Sequence, residues 1–270
     1  MKKYAFALVT VALAAFVVSA NAQNQPFVKG GQPADPREWP SLLAFVMPGT
    51  DPSLNVVCTA TRIGPATIMT AAHCLAGGKT VALKRNGAAS TPSFGTADCT
   101  LHPEWRFASP PARPGSGSGP DMALCKPSAQ LSAVGTDRVS GDNYSLPSGP
   151  YNVVLVGFGC TDAGVIGTEI PYFGFATGIQ QGADLISVSG GAYLCRGDSG
   201  GAAYNSPAPQ TRVVIGINRS TNALAGTSIM HSISAPVARE WLRQWEAGGQ
   251  NPICGITTTG NPCDYAPGTF

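Results

Sequence analysis

Charge is scarce in this chain of 270 residues: only 12% are Asp, Glu, Lys or Arg, and 17 basic side chains face 15 acidic ones. No basic stripe or polybasic tract stands out, which argues against nucleic acid and against an anionic membrane surface as partners. Three histidines and no Cys-x-x-Cys pair count against zinc-module spacings. Apolar heptads are missing as well, so coiled coils and bundles of long helices fall away. The one long apolar run, Tyr4 to Val18, is shorter than the roughly 20 residues of a comfortable membrane helix.

What is present fits a different class. Glycine and proline are plentiful, 33 and 23 residues, and the apolar segments are short. That pattern predicts many strands joined by tight turns, hence an all-β protein. Lys2 and Lys3, the apolar run and Ala20-Asn21-Ala22 together read as a secretory signal peptide over residues 1–22, weakly similar to bacterial ones. An uncleaved anchor is the other reading of that run. No cysteine follows Ala22, so lipid attachment there is not expected. The implied compartment is extracellular or periplasmic, where eight cysteines form disulfides. Without Lys2 and Lys3, acids and bases balance.

Along the chain, residues 23–27 form a short leader and Val28-Lys29-Gly30-Gly31 opens the domain. Strands are predicted over Leu42–Met47, Val56–Thr61, Thr67–Thr70, Tyr151–Phe158 and Val213–Ile217. Leu101–Trp105 and Met122–Lys126 flank a loop over Pro110–Pro120 whose Pro-Pro, Pro-Gly and Ser-Gly steps predict mobility. Val237, Trp241, Leu242 and Trp245 have helical spacing. Residues 247–270 form a tail rich in Gly, Pro and Thr.

Two motifs carry the chemistry. Thr70-Ala71-Ala72-His73-Cys74 offers a histidine beside a cysteine, and Gly197-Asp198-Ser199-Gly200-Gly201 offers a serine framed by glycines. A serine hydroxyl stays protonated at neutral pH, so it needs a base to take its proton and donors to hold an oxyanion. Taken singly, His73 reads equally as a core histidine and Ser199 as a turn serine. Asp121, which opens Asp121-Met122-Ala123-Leu124-Cys125-Lys126, is a candidate third member or an exposed turn residue after Gly119-Pro120. Asp98 and Asp142 are the alternatives, and neither begins an apolar strand.

From Val28 to Trp245 these motifs, in the order His, Asp, Ser, resemble the chymotrypsin-like (trypsin-fold) serine endopeptidases. The resemblance implies two six-stranded antiparallel Greek-key barrels with a C-terminal α-helix, occupying residues 28–246. It implies His73 as general base, Asp121 as its orienting carboxylate and Ser199 as nucleophile. The backbone N–H groups of Gly197 and Ser199 form the oxyanion hole. Val28 stands where that family usually has Ile in Ile-Val-Gly-Gly, which implies cleavage of Phe27–Val28 and an ion pair between the new α-amino group and Asp198. No cofactor and no metal is implied, and no carboxylate lies between Lys79 and Thr91 to build a calcium loop. The partner is a protein or peptide substrate, with no membrane anchor and a monomeric enzyme.

The resemblance also pairs Cys58 with Cys74. Cys99 and Cys125 fall on strands expected to lie side by side, and Cys254 and Cys263 are neighbours in the tail. Cys160 and Cys195 remain; Cys160 follows Gly157-Phe158-Gly159, similar to a family Gly-Trp-Gly whose loop lies beside the nucleophile. The specificity pocket departs from trypsin: Tyr193 replaces the floor aspartate, and Leu194 beside it favours an apolar or small side chain. Asn218-Arg219-Ser220 replaces the usual Ser-Trp-Gly. Arg196 and Arg219 would favour acidic residues, or Arg219 is a solvated edge charge. Asn143-Tyr144-Ser145 and Asn218-Arg219-Ser220 match glycosylation sequons. Two further readings stay open: an inactive binding protein on the same fold, and a host-directed effector protease with a narrow target.

Overall fold

The structure is a computed structural model that describes residues 28–46, 57–88, 90–109, 117–131, 133–141, 144–160, 167–249, 252–256 and 263. The signal peptide, the leader, most of the Pro110–Pro120 loop, Asp142, Asn143 and most of the tail lie outside the described residues.

The first barrel consists of β2 (Leu42–Val46), β3 (Val57–Gly64), β4 (Thr67–Thr70), β5 (Thr80–Lys84), β6 (Gly95–Leu101) and β9 (Ala123–Pro127). It closes in the order β2-β3-β4-β9-β6-β5. A short hairpin, β7 (Arg106–Phe107) with β8 (Gly117–Ser118), projects from it. The second barrel consists of β10 (Tyr151–Gly157), β11 (Tyr172–Gln181), β12 (Leu185–Ser189), β13 (Ala202–Tyr204), β14 (Val214–Asn222) and β15 (Thr227–Ser232). It closes through β11–β12, and β1 (Gln32–Pro33) adds to the outer edge of β11. All the strand pairs are antiparallel.

Both barrels follow one path. Their first three strands form a meander, and the last three return in reverse order to close the cylinder. The expected all-β fold of two six-stranded barrels is therefore present, although no sequence repeat announces it. Closure also removes the open edges that would otherwise pair with other chains.

The clearest strand in the sequence, Val153-Val154-Leu155-Val156 in β10, is apolar without alternation because both of its faces are covered. Val153 and Leu155 join the core of the second barrel with Ile186, Val188, Ile215 and Met230. Val154 and Val156 turn toward the larger core that runs from the first barrel across the seam, with Trp39, Phe158, Tyr204 and Ile217.

A buried ionic cluster ties this seam. Arg212 donates from Nε and Nη2 to Asp137 Oδ1 at 3.0 and 2.9 Å, and from Nη1 to the Glu38 carbonyl at 2.6 Å. Tyr204 and Ser41 donate to the other carboxylate oxygen. The guanidinium also stacks over Trp39, 4.2 Å from the ring centroid.

Helix α1 (Pro236–Ala247) starts with proline at its first turn, where a missing N–H costs nothing. It buries Ala238, Trp241 and Leu242, and Trp241 meets the His102 ring edge-on at 4.9 Å. Beyond it the tail is not merely appended: Ile253 and Cys254 are fully buried, and the Cys254 N–H donates to the Ile63 carbonyl at 2.8 Å. No helix among the described residues is long and apolar enough to cross a membrane.

Candidate active site

His73 lies on a single 3₁₀ turn, Ala72–Leu75, which caps β4 at the seam. Asp121 comes just before β9, and β9 pairs with β4, so the strand register brings the two together. Asp121 grips the histidine twice. Its Oδ1 accepts the backbone N–H of His73 at 2.9 Å, and its Oδ2 lies 2.7 Å from Nδ1. The carboxylate is 1% exposed. A carboxylate held there orients the ring and fixes the tautomer with a proton on Nδ1. Of the alternatives, Asp98 accepts a hydrogen bond from Thr80 Oγ1 on the barrel exterior.

Ser199 sits on the tight turn between Cys195 and β13. The turn needs its glycines. Gly197 has φ +102°, and a Cβ there would come within 2.8 Å of Gly159 Cα. Gly200 has φ +81°, and a Cβ would meet Thr70 Oγ1 at 2.1 Å. The turn is anchored from the first barrel by Thr59, which donates its N–H to the Ser199 carbonyl and its hydroxyl to the Gly197 carbonyl, both at 2.9 Å. Cys74 Sγ lies 3.7 Å from the same Ser199 carbonyl. From the second barrel, Asn218 accepts from the Gly200 N–H at 2.9 Å and donates to the Gly201 carbonyl at 2.8 Å. The N–H groups of Gly197 and Ser199 donate to no group among the described residues. The Ser199 turn is thus brought up to the histidine turn, with two backbone donors uncommitted among the described residues.

Asp198 points away from this face into a fully buried niche. Its oxygens accept N–H groups from Gly159 and Cys195, each at 2.8 Å. Gly157 and Gly159 leave the room: a Cβ on either would approach the carboxylate to within 2.4 Å. Burial pushes its pKa up to about 7, although the two backbone donors pull it down. No cation pairs with it among the described residues. Val28 is also fully buried, in the core of the second barrel, with φ +44°. That left-handed conformation is strained for a β-branched residue.

Disulfides join Cys58 to Cys74, Cys99 to Cys125, Cys160 to Cys195 and Cys254 to Cys263. Cys99 and Cys125 lie directly opposite each other on β6 and β9. Cys58, His73 and Cys74 bring metal-binding atom types together, but the two sulfurs are spent on each other.

Around the site, Tyr193 is half-buried and its N–H donates to the Lys29 carbonyl at 2.9 Å. Leu194 packs into the second barrel's core. Arg196 is exposed. Arg219 is not a solvated edge charge: its side chain is 26% exposed and its Nε lies 3.8 Å from Asp121 Oδ2. Asn218 is fully buried, with its amide donating to the Val156 and Asp198 carbonyls at 3.2 Å. That sequon is therefore closed to glycosylation in the folded chain. Nothing in the sequence marks Thr59 as a site residue or Asn218 as a brace of the Ser199 turn, because their partners, Gly197, Ser199, Gly200 and Gly201, lie far away in the chain.

The sequence model of the trypsin family matches residues 28–242. Among solved structures, human heparin binding protein superposes with a TM-score of 0.58 at 17% identity, covering 83% of this chain and 99% of that one. A double mutant of the same human protein gives 0.59 at 18% identity, over 83% and 98% of the two chains. No curated protein sequence matches the chain. At these identities the superpositions speak for the fold alone, whereas the family model covers most of the sequence. The chain belongs to the trypsin family.

Proposed function

We propose that this chain is a secreted serine endopeptidase that cleaves peptide bonds through an acyl-enzyme. The observation that carries the reading is the double grip of Asp121 on His73 beside the anchored turn of Ser199. In this reading His73 takes the hydroxyl proton as Ser199 attacks the scissile carbonyl, and Asp121 stabilises the imidazolium. The N–H groups of Gly197 and Ser199 receive the oxyanion. His73 then returns the proton to the leaving amine, and water releases the acyl group by the same steps.

The chain is made as a zymogen in this reading: residues 1–22 are removed on export and residues 23–27 by cleavage before Val28. The freed α-amino group pairs with Asp198, which has no cation partner among the described residues, and its release relieves the backbone strain at Val28. Tyr193 supplies no negative charge for a Lys or Arg side chain, so cleavage is not trypsin-like. The enzyme acts as a monomer without cofactor or metal. The human neighbour's name refers to heparin, a polyanion; no basic stripe or polybasic tract in this sequence suggests such a ligand here.

A fluorophosphonate probe tests the proposal. Protein starting at Val28 reacts at Ser199, and Ser199→Ala does not. Correctly folded, Val28-started protein that stays unlabelled would establish the silent binding protein instead.

A further inference from the structure

Arg219 stands where the two halves of the site meet. It is the extra residue of a bulge in β14, between Asn218 opposite Met230 and Ser220 opposite Ile229. Bulges re-aim the inserted side chain. The preceding residue, Asn218, is the one bonded to Gly200 and Gly201, so Arg219 follows directly on the brace of the nucleophile turn. Its other neighbour is the triad carboxylate. Nε approaches Asp121 Oδ2 to 3.8 Å, close enough for attraction but beyond hydrogen-bond reach. Both Asp121 oxygens are already taken by His73. Among the described residues no group accepts a hydrogen bond from the guanidinium.

A second polar group nearby is orphaned. His231 on β15 is 2% exposed, and neither ring nitrogen has a hydrogen-bond partner among the described residues. Burial, helped by the charge of Arg219, lowers its pKa to about 4, while Asp184 and Asp121 pull the other way. It is neutral at physiological pH and retains one N–H to donate. A partly buried guanidinium with unused donors is shaped for a planar carboxylate, which takes two parallel hydrogen bonds from it. Asp121 is 1% exposed, whereas the Arg219 side chain is 26% exposed, so the cation is the more accessible of the two charges. Arg196, exposed beside Gly197, adds charge of the same sign.

We infer that Arg219 is a specificity-determining residue that recognises an acidic side chain of the peptide close to the scissile bond. This rests on the serine endopeptidase reading and names the substrate class for it.

The test uses pairs of fluorescent peptides that differ only in Glu against Gln at one position flanking the cut. Hydrolysis is followed with protein processed before Val28. Binding is followed by fluorescence anisotropy with Ser199→Ala, in the full chain and in the processed form. At one position the Glu peptide is favoured about tenfold in both assays, the effect of one charge-assisted pair. The preference disappears in Arg219→Gln, survives in part in Arg219→Lys, and turns toward a Lys peptide in Arg219→Glu. Circular dichroism checks that each variant folds. Equal handling of Glu and Gln peptides, or a preference that outlives Arg219→Gln, overturns the inference. Acid-selective binding that depends on Arg219, in protein that neither cuts nor takes a fluorophosphonate, upholds it as recognition and sinks the peptidase reading alone.

Discussion

The backbone N–H of Thr59 donates to the carbonyl of Ser199 at 2.9 Å, so a strand of the first barrel holds the turn that leads into the second. The same residue's hydroxyl donates to the Gly197 carbonyl and accepts the Phe158 N–H at 3.0 Å. Thr59→Val keeps the shape and the backbone bond but strips both hydroxyl contacts, leaving two buried polar groups unpaired. Stability should fall by about 1–3 kcal/mol in urea unfolding. Turnover should fall with little change in KM, because the turn that carries the proposed oxyanion donors loosens.

Gly197→Ala strikes the same turn more directly. The added Cβ meets Gly159 Cα at 2.8 Å and sits on a backbone with φ +102°. The peptide must rotate, and its N–H leaves the proposed oxyanion position. Loss of one such donor costs about a hundredfold or more in kcat. Active-site titration beside steady-state kinetics checks that the loss is in rate and not in folded fraction.

At the seam, Arg212→Met leaves Asp137 buried at 3% exposure without its cation. Breaking one side of a buried pair costs about 3–5 kcal/mol. The double variant Arg212→Met with Asp137→Leu should recover much of that loss, which calorimetry can measure. A double variant no better than the single one would mean that the Glu38 carbonyl and the Trp39 stacking, not the carboxylate, are what Arg212 chiefly serves.

Two buried groups give the uncut chain opposing pH responses. The folded pKa of Asp198 is raised from 3.8 to about 7. Its contribution is full below its unfolded value and is lost as pH rises toward 7. The folded pKa of His231 is lowered from 6.5 to about 4, so its contribution is full above its unfolded value and is lost as pH falls toward 4. Between those limits the two slopes offset each other. Asp198→Asn should therefore expose a loss of stability toward acid, and His231→Phe a loss toward neutral pH, in urea midpoints measured across pH 4–7. In protein cut before Val28 the Asp198 slope should vanish or reverse, because a new cation then favours the charged carboxylate.

Contiguous motifs were legible from sequence because several constraints fall on adjacent residues. Gly197 and Gly200 must be glycine for their backbone angles and close contacts, and His73 follows a strand whose register delivers it to Asp121. Strands buried on both faces, such as β10, stood out for the same reason. β11 did not: its outward residues, Phe175 and Ile179 among glycines and Gln180–Gln181, blur the alternation that marks a half-buried strand. The position of Arg219 was beyond reach because it depends on a one-residue bulge, and a register change is a property of two strands together. The burial of Ile253 and Cys254 was hidden likewise. It needs Gly64 and Gly141, far away in sequence, to let the tail backbone approach.

His73 and Asp121 belong to the first barrel and Ser199 to a turn of the second, and only the seam contacts unite them. In the proposed chemistry neither half alone can activate the serine. A nascent or partly folded chain is therefore harmless to its surroundings and to its own sisters, whatever its state of processing. Hazard arises only as a property of the docked pair, so the folding equilibrium itself serves as a first safety catch, ahead of any cut before Val28.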